Sequence, residues 1–141
     1  MYVLDTDVVT ELRKIKSGKG NPNVAAWVES VEPVETFLSS TTVHELELGV
    51  LLLERKDPKQ GAILRAWLDT RVLSEFDARI LAVDLEVARR CAILHIPDPR
   101  PLRGSFIAAT ALAHGMTIVT RNVSDFKPMG ADILNPWEFE S

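Results

Sequence analysis

A chain of 141 residues, 46% hydrophobic and 26% charged, is of ordinary size for one domain and can bury a real core, which excludes disorder as the default. A net charge of −4 argues against broad, non-specific nucleic-acid binding, yet it leaves room for a nuclease whose carboxylates are balanced by bound cations. The single cysteine, Cys91, excludes an internal disulfide, and no apolar run reaches membrane length, so a cytoplasmic protein is expected.

Tyr2-Val3-Leu4 runs straight into Asp5, and a helical pattern follows. This predicts a strand, a sharp turn and a helix that carries Val8, Leu12 and Ile15 on one face and ends near Gly18. Asp5 then stands at the carboxyl end of a buried strand, where open α/β sheets place their ligands. Thr6 or Asp7 is expected to cap the helix. From this stretch alone Asp5 reads either as a turn residue or as a metal ligand.

Asn21-Pro22 restarts a helix through Val24, Trp27, Val28 and Val31, and Glu32-Pro33 stops it. Thr36 to Ser40 reads as a strand. A longer helix then starts at Thr41-Thr42, with Val43, Leu46, Val50 and Leu53 on one face. Asp57-Pro58 breaks it before a helix with Ile63, Leu64, Trp67 and Leu68. The hairpin over 42–71 has more apolar surface than one contact needs. Either it all packs in the core, or part of it meets another chain.

Arg79 to Val83 predicts a short strand, with Asp84 capping the next helix (Val87, Ala88, Cys91, Leu94). Cys91 is expected to be buried and inert. The run Ile96-Pro97-Asp98-Pro99-Arg100-Pro101 is a stiff loop, because each residue before a proline is pushed out of the α region. Ser105 to His114 is an alanine-rich helix closed by Gly115 in a left-handed position. Met116 to Thr120 is a strand, and Ile133-Leu134 an edge strand. The pattern predicts an α/β fold with a mainly parallel central sheet flanked by helices, a single domain over 1–141. There is no GxGxxG, Walker A, HExxH or CxxC pattern. The basic clusters (Arg13, Lys14, Lys16, Lys19; Arg100, Arg103) read as solvated charge.

Acidic residues recur near strand ends: Asp5, Glu45 and Asp125. In a parallel sheet these ends point the same way, so the three can converge on a hard cation such as Mg²⁺ or Mn²⁺, which takes oxygen ligands and water. Each has a plainer reading. Thr42-Val43-His44-Glu45 is a good capping box, and Asp125 can make an Asx-turn. His44, His95 and His114 show no metal-ligand spacing.

Four blocks of sequence bear on that choice. Tyr2 to Leu12 resembles the opening of PIN-domain proteins, in particular bacterial toxins of the VapC and FitB type. Thr42 to Val50 resembles that family's second acidic motif, T-x-x-E-L-x-x-G. Ser105 to Ala111 resembles its third, and Thr120-Arg121-Asn122-Val123-Ser124-Asp125-Phe126 its closing T-R-N-x-x-D-F. The blocks occur in order across nearly the whole chain. The resemblance implies a PIN-like three-layer fold and a Mg²⁺- or Mn²⁺-dependent endoribonuclease, the toxin of a toxin–antitoxin pair. It implies a cognate antitoxin and RNA as partners, in a homodimer or a hetero-oligomer. It makes Asp5, Glu45 and Asp125 catalytic, metal-binding carboxylates, with Thr6, Thr120 and Asn122 orienting them or the RNA phosphate.

One position departs from the pattern. The third motif is D-x-x-I-A-A-T-A, and three residues before Ile107 stands Gly104. The substitution removes an expected ligand together with a residue that suits a helix start. Asp98, across the proline-rich loop, is too remote to replace it. The expectation is an inactive or weakened chain, either a disabled form of a toxic nuclease or a degenerate member that still binds its partner. A non-catalytic PIN-fold module is the alternative, and a phosphotransfer domain a third, which lacks a suitable lysine at a strand end.

Overall fold

The computed structural model describes residues 1–140. Five short parallel strands form one sheet in the order β3-β2-β1-β4-β5: β1 Tyr2–Leu4, β2 Thr36–Ser39, β3 Ile80–Leu81, β4 Thr117–Val119 and β5 Ile133–Leu134. Helices flank it: α1 Thr6–Lys16, α2 Pro22–Ser30, α3 Ser40–Lys56, α4 Pro58–Trp67, α5 Leu73–Glu75, α6 Leu85–Leu94, α7 Leu102–His114 and α8 Val123–Phe126. This is the parallel α/β architecture that the alternating pattern predicts. β1 and β4 pair in register, Leu4 against Val119, while β1 pairs with β2 on its other edge. The chain therefore leaves β1 toward one edge and returns in β4 on the other side. That reversal opens a crevice beyond the carboxyl ends of β1 and β4.

The core has two main parts, one on each face of the sheet. On one, Leu4, Val8, Val9, Trp27, Leu38, Val50 and Leu68 are buried together. On the other, Val3, Ile107, Ala108, Ala111 and Ile118 pack with Phe126 and Met129. The alanines let α7 approach the sheet closely, and burying each larger side chain contributes about 1.5–3 kcal/mol. Gly115 ends α7 at φ 64°, the left-handed conformation the sequence pattern calls for. Gly61 is set by close approach: a Cβ there would stand 2.4 Å from the Cα of Glu54, so α4 can lie against α3 only with glycine.

Several boundaries differ from expectation, each for a local reason. α3 starts at Ser40, because the Ser39 hydroxyl at the end of β2 accepts from Thr41 N at 3.1 Å and caps the helix first. Thr42 is therefore inside α3 with its hydroxyl unpartnered, and the Thr42–Glu45 capping box does not form. α7 begins at Leu102, three residues before the expected Ser105. Pro101 constrains Arg100 but not Leu102, so nothing bars the helix from starting at once. Gly104 accordingly sits in the first turn of α7. β3 is shorter than the expected 79–83, and α4 runs on through a wide turn at Leu68–Val72. Asp84 caps α6 as expected: its carboxylate accepts from Val87 N at 2.9 Å. Cys91 is buried, 3% exposed.

No helix among the described residues is long and apolar enough to cross a membrane.

Candidate active site

The crevice is a cleft of about 720 Å³ whose lining includes Asp5, Thr6, Asp7, Glu45, Gly104, Asn122 and Asp125. The three expected carboxylates thus share one cleft, together with Thr6, Asn122 and the glycine. Thr120 lies beneath it, fully buried.

Asp5 is built into the joint between strand and helix. It is itself the N-cap of α1, which corrects the expectation that Thr6 or Asp7 would cap. Its Oδ1 accepts from Thr6 N at 2.8 Å and its Oδ2 from Thr120 Oγ1 at 2.7 Å. Thr120 Oγ1 in turn accepts from Asn122 N at 3.0 Å, so Thr120 relays between the β4 turn and Asp5. Each carboxylate oxygen has a second lone pair free for the cleft. Burial pushes the Asp5 carboxyl above the usual carboxylate range, opposed by the Thr120 and Thr6 hydrogen bonds and by the Arg103 charge.

Asp7 is pinned from the same turn, its Oδ2 accepting from Arg121 N at 3.0 Å. Burial, with the Asp5 charge adding to it, pushes its pKa up to about 6. Its Oδ1 is buried with no hydrogen-bond partner.

Glu45 comes from the second turn of α3, the helix after β2. Freed from any capping duty, its side chain turns into the cleft, only 12% exposed. Burial raises its pKa, and the Thr6 hydroxyl and Arg103 guanidinium work against that rise. Its Oε1 lies 3.3 Å from Arg103 Nε, with the Thr6 hydroxyl beside the same carboxylate, and neither contact has the alignment of a good hydrogen bond. Asp125 lies in the short α8, where Asp125 N donates to Asn122 O at 3.2 Å, and it is exposed at the cleft. Its charge acts on Asp5.

At position 104 the cleft has room. A Cβ built on Gly104 would meet Phe126 Cε1 at 3.7 Å and Met129 Cε at 3.8 Å, ordinary contacts, so a side chain can start there without displacing its neighbours. Lys14 and Arg103, which read as solvated charge in the sequence, and Arg121 and Trp137, which had no assigned role there, all line the cleft. Arg121 lies over the Trp137 ring at 5.2 Å. For Arg103 the available signal was its place beside Gly104. Trp137 is brought in by a contact 114 residues away, Asn23 Nδ2 donating to Trp137 O, which local pattern does not reveal.

Among the described residues no three Asp, Glu, His or Cys side chains stand close enough to share one ion. The donor set nonetheless fits a hard divalent cation. Asp5 and the Glu45 side chain are largely buried, and Glu45 Oε1 and Asp7 Oδ1 are buried without a hydrogen-bond partner. Mg²⁺ in particular takes one or two carboxylates and keeps several waters, so three direct ligands are not required.

Comparison with known proteins agrees with this geometry. The PIN domain family matches residues 2–129. The chain is 36% identical over 144 residues to VapC ribonuclease Y4jK of Sinorhizobium fredii (strain NBRC 101917 / NGR234), covering 98% of this chain and 99% of that one. It is 35% identical over 143 residues to Toxin FitB of Neisseria gonorrhoeae (strain ATCC 700825 / FA 1090), covering 97% and 99%. The crystal structure of FitAcB from Neisseria gonorrhoeae superposes with a TM-score of 0.88 at 33% identity, over 99% of this chain and 100% of that one. The chain belongs to the PIN-domain family, among relatives of the VapC and FitB toxin type.

Proposed function

We propose that this chain is the toxin half of a type II toxin–antitoxin pair, an endoribonuclease fold that hydrolyses RNA phosphodiester bonds with a divalent cation, and that Gly104 leaves it weakened. The observation that carries this reading is the convergence of Asp5, Glu45 and Asp125 from three strand ends into one cleft. A relative named as a ribonuclease, matched end to end, supports it. Mg²⁺ or Mn²⁺, held by Asp5 and Glu45 and reached from Asp125 directly or through water, would supply a nucleophilic water and charge stabilisation at the phosphate. The chain's own residues do the positioning. Thr120 and Thr6 N fix the Asp5 carboxylate, Asn122 N fixes the Thr120 hydroxyl, and Lys14 and Arg121 offer positive charge to a phosphate entering the cleft.

The test is cleavage of single-stranded RNA by this chain and by Gly104→Asp, side by side, with Mg²⁺ or Mn²⁺ and an EDTA control. Gly104→Asp is expected to be faster by about a hundredfold, in the range one acid–base or ligand group contributes. Equal, robust activity in both would remove position 104 from the chemistry. A second reading, a PIN-fold module that binds antitoxin or RNA without cutting, is favoured by one observation, the missing carboxylate in the first turn of α7. It predicts that Gly104→Asp stays inactive.

The antitoxin is the expected protein partner. Leu48, Leu51 and Leu52 on α3 and Ile63 on α4 form an exposed apolar stripe, with Leu52 60% exposed, so core packing does not use it. Leu52→Glu is expected to weaken antitoxin binding about tenfold in a direct titration, since truncating a buried interface anchor costs more than 1 kcal/mol. Unchanged affinity would move the antitoxin elsewhere.

A further inference from the structure

Arg103 occupies an unusual position for a cation. It is the second residue of α7, directly before Gly104, and its Nε lies 3.3 Å from Glu45 Oε1. The two partners are unequal. The Glu45 side chain is 12% exposed and the Arg103 side chain 64%. The pair is also poorly directed, since Glu45 Oε1 closes no hydrogen bond with anything. A buried carboxylate needs a positive partner, and this one has a cation that is near, mostly solvated and held by charge rather than by aligned donors. Arg103 also acts on Asp5 from the same place, while Lys14 is engaged by Glu11 at 3.8 Å and Arg121 is stacked on Trp137.

Building on the nuclease reading, we propose that Arg103 is the cleft's internal counter-ion, holding Glu45 when no metal is bound and competing with the divalent cation for it. Arg103 is a positioning residue in this account: it sets how tightly the cleft takes a cation. The pairing keeps the crowded carboxylates compatible with folding in the absence of metal, and its loose geometry lets an ion of higher charge displace the guanidinium toward solvent.

The experiment is titration calorimetry with MnCl₂ on the full chain, comparing wild type, Arg103→Gln and Arg103→Lys, joined to thermal melting in EDTA. Arg103→Gln is expected to bind Mn²⁺ about twofold to fivefold more tightly, the span that a partly exposed ion pair covers. Arg103→Lys, which keeps the charge, stays near wild type. In EDTA at neutral pH, Arg103→Gln melts lower than wild type, and the difference disappears in a Glu45→Gln background. Equal or weaker Mn²⁺ binding by Arg103→Gln, or a melting difference that persists without Glu45, overturns the inference. If both wild type and Arg103→Gln bind Mn²⁺ equally, only the counter-ion role falls. If neither binds, the metal-site reading falls and takes this role with it.

Discussion

The chain gathers carboxylates in two places and treats them in opposite ways. On the α3–α4 hairpin, Arg65 is ringed by Glu47, Glu54 and Asp69, with Nη2 2.6 Å from Glu47 and 3.2 Å from Glu54 and Nη1 3.5 Å from Asp69. There the guanidinium holds the Glu47 carboxyl below its usual range. In the cleft, Asp5, Asp7 and Glu45 are more deeply buried, all three are raised, and two of their oxygens have no hydrogen-bond partner. The hairpin cluster is complete with one arginine at its centre. The cleft has no such centre: its carboxylates are raised by burial and lack an aligned cationic partner, the pattern that clusters at functional sites.

The sharpest way to break this contrast is to cut the scaffold that holds the cleft open. Thr120→Val removes the hydroxyl that donates to Asp5 and accepts from Asn122 N, leaving a buried carboxylate and an N–H short of partners. It should lower stability in urea unfolding by about 1–3 kcal/mol, the cost of unsatisfied buried groups. A loss below about 0.5 kcal/mol would mean that water replaces the hydroxyl freely.

The pH response should differ in sign between the two regions. Asp7 titrates near 6 when folded and in the ordinary carboxylate range when unfolded, and Asp5 and Glu45 are raised as well. The folded chain therefore holds protons that the unfolded chain releases. Their contribution is present at low pH and is lost as pH rises through about 6, so the metal-free protein should gain stability between pH 7 and pH 5. Glu47, being lowered, contributes in the opposite sense: its share is present at neutral pH and lost in acid. Unfolding curves in EDTA at pH 5, 6 and 7 check this, and a flat profile would show that the cleft carboxylates relax into water. The smallest effect belongs to the hairpin. Arg65→Gln should shift the urea midpoint only slightly, because the pairs it breaks are partly exposed and screened by solvent, and it should leave the cleft's response between pH 6 and 7 unchanged.

The fold was legible because its signals are local. Val3-Leu4, Ile118-Val119 and the alanines of α7 announce buried strands and a close helix without knowledge of the rest. Asp5, Glu45 and Asp125 were legible as a set because each follows a strand, and parallel strands end on one side. What the pattern misjudged were choices between equivalent local options. Ser39 and Thr42 can both cap α3, and only the end of β2 decides for Ser39, which frees Glu45. Asp5 was expected to precede a cap and is the cap. Arg103 looked like loop charge because the helix was expected to begin at Ser105, and moving that start to Leu102 puts the guanidinium beside Glu45. Trp137 depends on a contact across the whole chain, which no window of sequence contains.

The metal reading turns on whether carboxylates from separate strand ends share one cation. Crystals of the chain soaked in MnCl₂, with anomalous diffraction collected near the manganese edge, test it most directly. The expected result is a peak in the cleft with Asp5 or Glu45 as a direct ligand, Asp125 in contact directly or through water, and the Arg103 guanidinium moved off Glu45. An anomalous map with no peak at Asp5 and Glu45, from crystals that bind manganese elsewhere, would contradict it.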